Sequence, residues 1–514
     1  MEIKILGGIN KIGLNSTLIK YKDFSFLIDD GINILQSSIS NTYFSSQLFI
    51  DEKIKYILIT HIHEDHIGGL SKIINELESN LIIIGSPLTI SYMKNKFEDC
   101  DHLEFRNIYE NSPINLECFT ITSHNVDHSC FGSVSYEIYN IELDKRLYFT
   151  GDFRNIINPI DRKVDICFTE STNAYISSTL TKEEEVIENL DILISKISKN
   201  KKILISLFSS EHDRIINILK IILRLNLKFQ LLGNAFIKSY EWIMNLNILS
   251  DEEKIEIEKL RIDELSFKFG ADIYICTGAL GQPFTGIFTA LRVINNKGKP
   301  NDYSVILSAS CVPGNEEQVN NLYKYMAYLN VDSIYTYKNI PKIHASGHAN
   351  VKTICESIHN INPDYIVPIH GDIGQRYMVR QYYNNNYEKK EFYLFSDPEK
   401  NEEDEYIEYN KIKISTPSVH FYQKYMFGTD NKNILSYTDY NIVLNERDKL
   451  GKNGIIIISG DKIKFLGFKP NEEVMEIIEK FKLSNDENMN SFLVKELEKN
   501  IKKIIGYSPQ IEII

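Results

Sequence analysis

Along the first ~185 residues, apolar positions come in short runs punctuated by glycine: Phe24–Ile28, 55–60, 81–84, 134–138 and 147–150. Runs of this length between turn residues predict strands. A helical pattern over 89–97 lies among them, and the alternation predicts a layered α/β unit. Near residue 181 the texture changes. Thr181-Lys182-Glu183-Glu184 has the form of a capping box, in which a hydroxyl and a carboxylate satisfy the first free amides of a helix. Val186, Leu190, Leu193, Ile194 and Ile197 then share one helical face. From there to about 340, helices alternate with the runs 203–208, Phe229–Leu232, Ile273–Cys276 and 305–308. These are continuously apolar, as strands buried on both faces of a parallel sheet are. Tyr382-Tyr383-Asn384-Asn385-Asn386-Tyr387 and the acidic stretch 397–408 predict loop or linker. The last ~75 residues predict a small α+β unit, with strands over 454–460 and 510–514 and helices over 472–481 and 491–505.

Composition narrows the class. The 514 residues predict about three domains. With 43% hydrophobic and 25% charged residues the balance is that of a globular protein, and no run approaches the ~18 apolar residues of a membrane helix. Residues 1–5 enter an alternating strand with no apolar core or cleavage site, so a secretory signal is not expected. Seven cysteines stand far apart without a CxxC, which argues against a disulfide framework and predicts a reducing, cytoplasmic setting. The net charge of −13 disfavours broad, non-specific binding to nucleic acid.

The segment Thr60-His61-Ile62-His63-Glu64-Asp65-His66-Ile67-Gly68-Gly69 follows a predicted strand and precedes a predicted helix. Alternation sends His61 and His63 to one side, and the turn swings Asp65 and His66 to another. Imidazole and carboxylate at this density suit zinc or a similar divalent ion. Among the other histidines, His102, His212, His359 and His420 stand in no ligand-like context by themselves.

The HxHxDH segment resembles the signature of the metallo-β-lactamase fold. That resemblance implies further ligands, and residues fill each position: His128 in Val126-Asp127-His128-Ser129, Asp152 in Thr150-Gly151-Asp152-Phe153-Arg154, and His370 in Pro368-Ile369-His370-Gly371-Asp372. His124 competes with His128, but His128-Ser129 followed by Ser133 fits the family's His-Ser…Ser run. The implied set is His61, His63 and His128 for one ion, Asp65, His66 and His370 for the other, and Asp152 between them. Two zinc ions per chain are expected, with manganese or magnesium as substitutes, because His and Asp donors accept more than one metal.

Three further features resemble the β-CASP nucleases. These are Glu170-Ser171-Thr172-Asn173, His344-Ala345-Ser346-Gly347-His348-Ala349, and His370 itself. Within that group the chain is similar to bacterial ribonuclease J nearly end to end. Gly7-Gly8-Ile9-Asn10-Lys11-Ile12-Gly13, Gly85-Ser86-Pro87-Leu88-Thr89, Phe208-Ser209-Ser210 through Arg214, Cys276-Thr277-Gly278, Pro313-Gly314-Asn315-Glu316, Asn441 through Arg447, 454–459 and Tyr507-Ser508-Pro509-Gln510 carry this likeness. It implies an αββα metallo-β-lactamase domain in two parts, 1–185 and 344–410. It also implies an inserted α/β β-CASP domain at 186–343, a linker at 411–438, and an α+β self-association domain at 439–514.

By the same resemblance, the activity is metal-dependent hydrolysis of RNA phosphodiester bonds in RNA processing and decay, both 5′–3′ exonucleolytic and endonucleolytic. Asp29 orients ligands, Asp65 takes part in catalysis as well as metal binding, His348 is the general acid or phosphate contact, and Glu170 positions it. Ser210, Glu211, His212, His344, Ala345, Ser346, Gly347 and His348 bind RNA. Implied partners are single-stranded RNA, further copies in a homodimer or homotetramer, and a sister ribonuclease J chain, with no membrane. The alternatives are a DNA-directed β-CASP nuclease, disfavoured by a histidine at 370, and a weakly active RNA-binding partner subunit. The chain departs from the family at Lys11, at Thr277-Gly278-Ala279-Leu280-Gly281-Gln282, at Asp372, and in a short segment between Asp152 and Glu170.

Overall fold

The structure is a computed structural model. It describes residues 1–34, 41–77, 80–100, 102–156, 160, 162–282, 285–311, 316–340, 342–430, 433–436, 455–459, 462–466, 474–475, 477–478, 497, 500–501 and 510–513. The segments 313–315, 441–447 and 507–509, and nearly all of the predicted helices over 472–481 and 491–505, lie outside these residues. Two compact units result, Met1–Met426 and Phe427–Ile514.

Two large sheets build the frame of the first unit. One runs in the order Glu405–Tyr409, Ile412–Thr416, Glu2–Ile5, Thr17–Tyr21, Phe24–Ile28, Tyr56–Leu58, Leu81–Gly85, Leu103–Asn107. The other runs Asn155–Ile156, Phe119–Asp127, Val134–Asn140, Lys145–Phe149, Ile166–Thr169, Tyr365–Pro368, Glu391–Phe392, with Ile114–Leu116 beside Phe119–Asp127. Ile5, Ile19, Phe26 and Leu58 from the first share a core with Phe119, Tyr136, Phe149 and Val367 from the second. Helices Val351–Ile361 and Ile373–Asn386 pack on the second sheet through Ile354, Ile358 and Val379 against Val126 and Ile366. The pairing of Ile166–Thr169 with Tyr365–Pro368 joins strands almost 200 residues apart in sequence.

Between those two strands the chain forms a five-stranded parallel sheet in the order Phe229–Leu232, Ile273–Cys276, Lys202–Ser206, Tyr303–Leu307, Ser333–Thr336. Its first four strands are buried almost throughout, as their apolar runs require, and the edge strand Ser333–Thr336 is half-buried. The second unit, by itself, contains the hairpin Met426–Asp430 with Asn433–Ser436, and a sheet in which Ile455–Ser459 pairs with Lys462–Leu466 and Gln510–Ile513.

Four local expectations change. Helix Glu183–Ile197 buries the predicted face, but its N-cap is Lys182 and no side chain caps it, so Thr181 forms no capping box. Residues 382–386 end the helix Ile373–Asn386 instead of forming a loop. Asp372 caps that helix with Gln375, and Tyr383 is buried, so anchoring and packing outweigh the weak propensity of the asparagines. The acidic stretch 397–408 contains the short helix Pro398–Lys400 and most of the strand Glu405–Tyr409. Residues 411–426, expected as linker, supply Ile412–Thr416, paired parallel to Glu2–Ile5, and helix Val419–Tyr425. Lysines at 411 and 413 hide the alternation of Ile412 and Ile414, both fully buried.

One core residue has a clear pH consequence. Asp30 is fully buried, and neither carboxylate oxygen has a hydrogen-bond partner. Burial first, then neighbouring Asp29, holds its pKa well above the usual carboxylate range. The folded state therefore binds this proton more tightly than the unfolded chain. The associated stability is full at acid pH and falls as pH rises through the folded value. Asp30→Asn is expected to flatten that decline and to raise Tm at and above neutral pH, read from melting curves across a pH series.

Candidate metal centre and substrate site

The candidate residues gather where parallel strands end. Asp29 follows Phe24–Ile28, and Thr60 and His61 come two and three residues after the adjacent Tyr56–Leu58. Asp152, Glu170 and His370 follow Lys145–Phe149, Ile166–Thr169 and Tyr365–Pro368, which are parallel neighbours in the other sheet. His128 follows Phe119–Asp127, and His63 is the N-cap residue of the short helix Glu64–Ile67, which carries Asp65 and His66. Asp29 and His370 have φ of 57° and 55°. The left-handed region is uncommon outside glycine, although aspartate and histidine enter it more readily than most residues.

Three groups of metal-type donors form, each with ligand atoms within 4.8 Å of one another: His61, His63, His128 and Cys130; Asp65, His66, Asp152 and His370; and Asp152, Glu170 and His348. In the first, His63 Nδ1 is 3.1 Å from His61 Nε2 and 3.2 Å from His128 Nε2. In the second, His66 Nε2 is 3.2 Å from His370 Nε2, which lies 3.2 Å from Asp65 Oδ2. Asp152 Oδ2 stands 3.6 Å from His61, 3.3 Å from His66 and 3.4 Å from His370, between the two groups.

The outer nitrogens fix which atom each imidazole turns inward. His128 Nδ1 donates to Gly347 O at 2.8 Å. Thr60 Oγ1 gives its proton to Asp29 at 2.8 Å, so it accepts from His61 Nδ1 at 3.0 Å. Thr172 Oγ1 likewise donates to His370 O and accepts from His370 Nδ1 at 2.6 Å. His66 Nδ1 is 2.7 Å from Asp29 Oδ2. Each of these four rings thus turns its Nε2 towards the centre, the arrangement that outer partners impose on metal-binding histidines.

Charge points the same way. Burial lowers His61 and His128 well below the usual histidine range and His63 to about 4, leaving neutral, ligand-ready rings. Burial would raise Asp65 and Asp152, but His66 and His370 outweigh it, and both carboxylates are held well down. Desolvation lowers His66, yet Asp152, Asp29 and Asp65 together raise it well above its ordinary value. Three carboxylates around one imidazole make a strongly cation-seeking site. With the convergent nitrogens, this donor set fits divalent metal ions.

His124 is elsewhere. Its Nε2 lies 3.4 Å from Glu137, away from the clusters. His124→Ala is therefore expected to leave the metal content of purified protein unchanged, whereas His128→Ala lowers it; elemental analysis of both variants checks this.

The third group sets His348 beside the metal cluster. His348 Nδ1 is 2.8 Å from Glu170 Oε2 and 3.8 Å from Asp152 Oδ2. Burial alone would lower it, but Glu170 and then Asp152 raise it to about 9. Glu170 also accepts the Phe153 amide at 2.8 Å, which ties it to the Asp152 turn.

The 344–348 segment is held by two arginines. Arg214 is fully buried, with a two-pronged contact to Glu183 at 2.7 Å on each arm, and it reaches His344 Nδ1 at 3.2 Å and Ala345 O at 3.3 Å. Arg154 Nε donates to Ser346 O at 2.9 Å. Asn173 donates to Ser346 Oγ and to His348 O. A Cβ on Gly347 would sit 2.8 Å from His128 Cε1, so only glycine lets this backbone approach the ligand ring so closely.

Ser210 is partly exposed, whereas Glu211 and His212 are buried. Glu211 lies 3.2 Å from Arg214, and burial raises its pKa to about 7. His212 is buried edge-on to Trp242 and beside Phe131, where the inserted sheet's helices meet the metal-bearing part.

Two departures have structural explanations. Lys11 pairs with Glu399, and Asp372 serves as the cap described above while accepting from Tyr175. The sequence reading gave no role to Asn15, whose amide nitrogen is 3.1 Å from His66 Nε2 and 3.2 Å from Asp65 O. It also gave none to Arg154, Arg214, Thr172 or Cys130. Thr172, Arg154 and Arg214 lay within quoted motifs; Cys130 carries no local signal.

Fold and site together define an α/β unit that carries metal-type donors at its strand ends and holds a second α/β sheet as an insertion. Residues 12–93 match the metallo-beta-lactamase superfamily and 200–326 match the ribonuclease J beta-CASP domain. The chain's relatives include ribonuclease J of Helicobacter pylori, 25% identical over 72% of this chain and 56% of that one. Ribonuclease J of Mycoplasma genitalium is 25% identical over 74% and 70%, and that of Thermus thermophilus 26% over 73% and 68%. The matched region is thus little more than half the length of the Helicobacter pylori relatives. A crystal structure of a protein of unknown function from Enterococcus faecalis shares the fold, with a TM-score of 0.50 and 14% identity over 77% of this chain and 97% of that one. No helix among the described residues is long and apolar enough to cross a membrane.

Proposed function

We propose that this chain is a metal-dependent ribonuclease that hydrolyses phosphodiester bonds of single-stranded RNA, with 5′–3′ exonucleolytic and endonucleolytic action in RNA processing and decay. The observation that carries this reading is the convergence of seven His and Asp donors at the strand ends of a chain that matches the ribonuclease J beta-CASP domain. In it, His61, His63 and His128 would hold one zinc ion and Asp65, His66 and His370 a second, with Asp152 within reach of both. Manganese or magnesium can substitute. Such ions, when bound, supply Lewis acidity and lower the pKa of water.

The protein's own groups do the rest. Asp29 fixes His66 directly and His61 through Thr60. Asn15 buttresses the Asp65–His66 turn. His348, its Nδ1 held by Glu170, offers Nε2 to the scissile phosphate or the departing 3′ oxygen. Gly347 and Ser346 allow a phosphate close to the backbone. RNA contact is assigned to 346–348 and Ser210, with His344 and Ala345 held from behind by Arg214 and with Glu211 and His212 as supporting packing. The metal-bearing part is 1–185 with 344–426, and 186–343 is the insertion. Self-association through the C-terminal unit, as a homodimer or homotetramer or with a sister chain, and a cytoplasmic location complete the reading by its likeness to ribonuclease J.

The test compares single-stranded RNA and DNA of one sequence, each with a 5′ monophosphate. Faster RNA cleavage is expected. Preference for DNA would reassign the chain to the DNA-directed β-CASP nucleases.

A further inference from the structure

The His61–His63–His128 group contains a fourth donor to which neither the family signature nor the mechanism above gives a part. Cys130 stands two residues after His128, is 4% exposed, and groups its sulfur with the three imidazole donors within 4.8 Å. Among the described residues no other cysteine joins a group of metal-type donors. Cys167, Cys276 and Cys355 are buried within apolar clusters, as ordinary core thiols are.

The sulfur has one weak side-chain contact, to Ser133, and one backbone hydrogen bond, to Ile62. Ser133 Oγ donates to Cys130 O at 2.9 Å, which uses its only proton and pins the 130–133 turn. The same oxygen, 3.3 Å from Sγ, can then only accept from the thiol. That weak S–H···O contact is the sole side-chain hydrogen bond shown for the sulfur, and giving it up costs little. The Ile62 backbone, between His61 and His63, also faces the sulfur. Cys130 thus touches the ligand loop itself. In a tetrahedral zinc site, Zn–S of about 2.3 Å and Zn–N of about 2.0 Å put sulfur and nitrogen about 3.5 Å apart. Closing from the 4.8 Å limit to that separation needs at most about 1.3 Å of approach.

We propose that Cys130 is a further ligand of the ion held by His61, His63 and His128, adding one sulfur to three nitrogens and the shared Asp152 carboxylate. The inference rests on the metal-centre reading above. The sulfur binds as thiolate, its proton passing to solvent as the ion enters. The consequence is selectivity. Thiolate favours zinc and other softer ions, whereas oxygen and imidazole donors alone also accept manganese. This chain is therefore expected to be committed to zinc at one position and more permissive at the other.

The test is spectroscopic and independent of nuclease activity. Full-length protein loaded with cobalt(II) is expected to show a sulfur-to-cobalt charge-transfer band in the near ultraviolet, absent in Cys130→Ser. Zinc-loaded wild type is expected to show a sulfur neighbour at about 2.3 Å by X-ray absorption. Cys130→Ser should also lower the preference for zinc over manganese by about ten- to a hundredfold in competition. Cobalt and zinc bound with no sulfur signature would overturn the proposal, leave Cys130 a core thiol, and leave the ribonuclease reading intact. Failure of wild type to bind either ion would overturn both. Because the wild-type spectra decide the matter alone, a misfolded variant does not obscure it.

Discussion

Replacing Asp152 with alanine is expected to reduce RNA cleavage by about a thousandfold or more. Lewis-acid stabilisation of a phosphoryl transition state is worth several kcal/mol, and each ~1.4 kcal/mol is a factor of ten. Asp152 is the one carboxylate within 3.6 Å of donors from both groups, so its loss weakens both positions together. Bound metal per chain should fall as well, by elemental analysis. The fold should persist, because Asp152 ends a strand and packs no core. A variant that retains full metal content and near-normal cleavage would remove Asp152 from the centre of the account.

His348→Ala is expected to give the second largest loss, about 10²- to 10⁴-fold in kcat, as for removal of a general acid. Unlike the Asp152 variant, it should keep its metal, since the polar contacts of the His348 ring are to Asp152 and Glu170 and it meets His128 and His370 only ring to ring. Glu170→Gln should lose less rate than His348→Ala, because the amide can still hold Nδ1 while no longer stabilising the protonated ring. Equal metal loss in the His348 and Asp152 variants would mean that His348 is a ligand and not a proton donor or phosphate contact.

How much of this was legible in the sequence depends on the range over which each signal acts. The apolar runs of the parallel strands, and the helical face of Val186, Leu190 and Ile194, are local patterns, and the structure has strands and a helix at those places. The ligand loop at 61–66 was equally local. Helix ends were less legible. Thr181 has the right spacing to cap, but the chain enters its helix one residue later. The asparagines at 384–386 disfavour helix, yet the cap at Asp372 and the burial of Tyr383 carry the helix through them. Least legible were residues whose meaning lies wholly in a distant partner. Arg214 meets His344 across 130 positions, Arg154 meets Ser346 across 192, and Asn15 meets His66 across 51. No periodicity records such pairs. The same holds for Glu211 and His212, whose motif resembled a phosphate-binding run but whose burial is set by a domain joint that the sequence does not display.

The central claim is that ions held by these seven donors drive hydrolysis of RNA. Its most direct test is a metal-depletion and add-back series on the purified full-length chain with 5′-monophosphorylated single-stranded RNA. The account predicts cleavage that disappears with a strong chelator, returns on adding zinc or manganese, and does not return in Asp152→Ala. Cleavage that survives full metal removal, or no cleavage by protein carrying its ions, would contradict it.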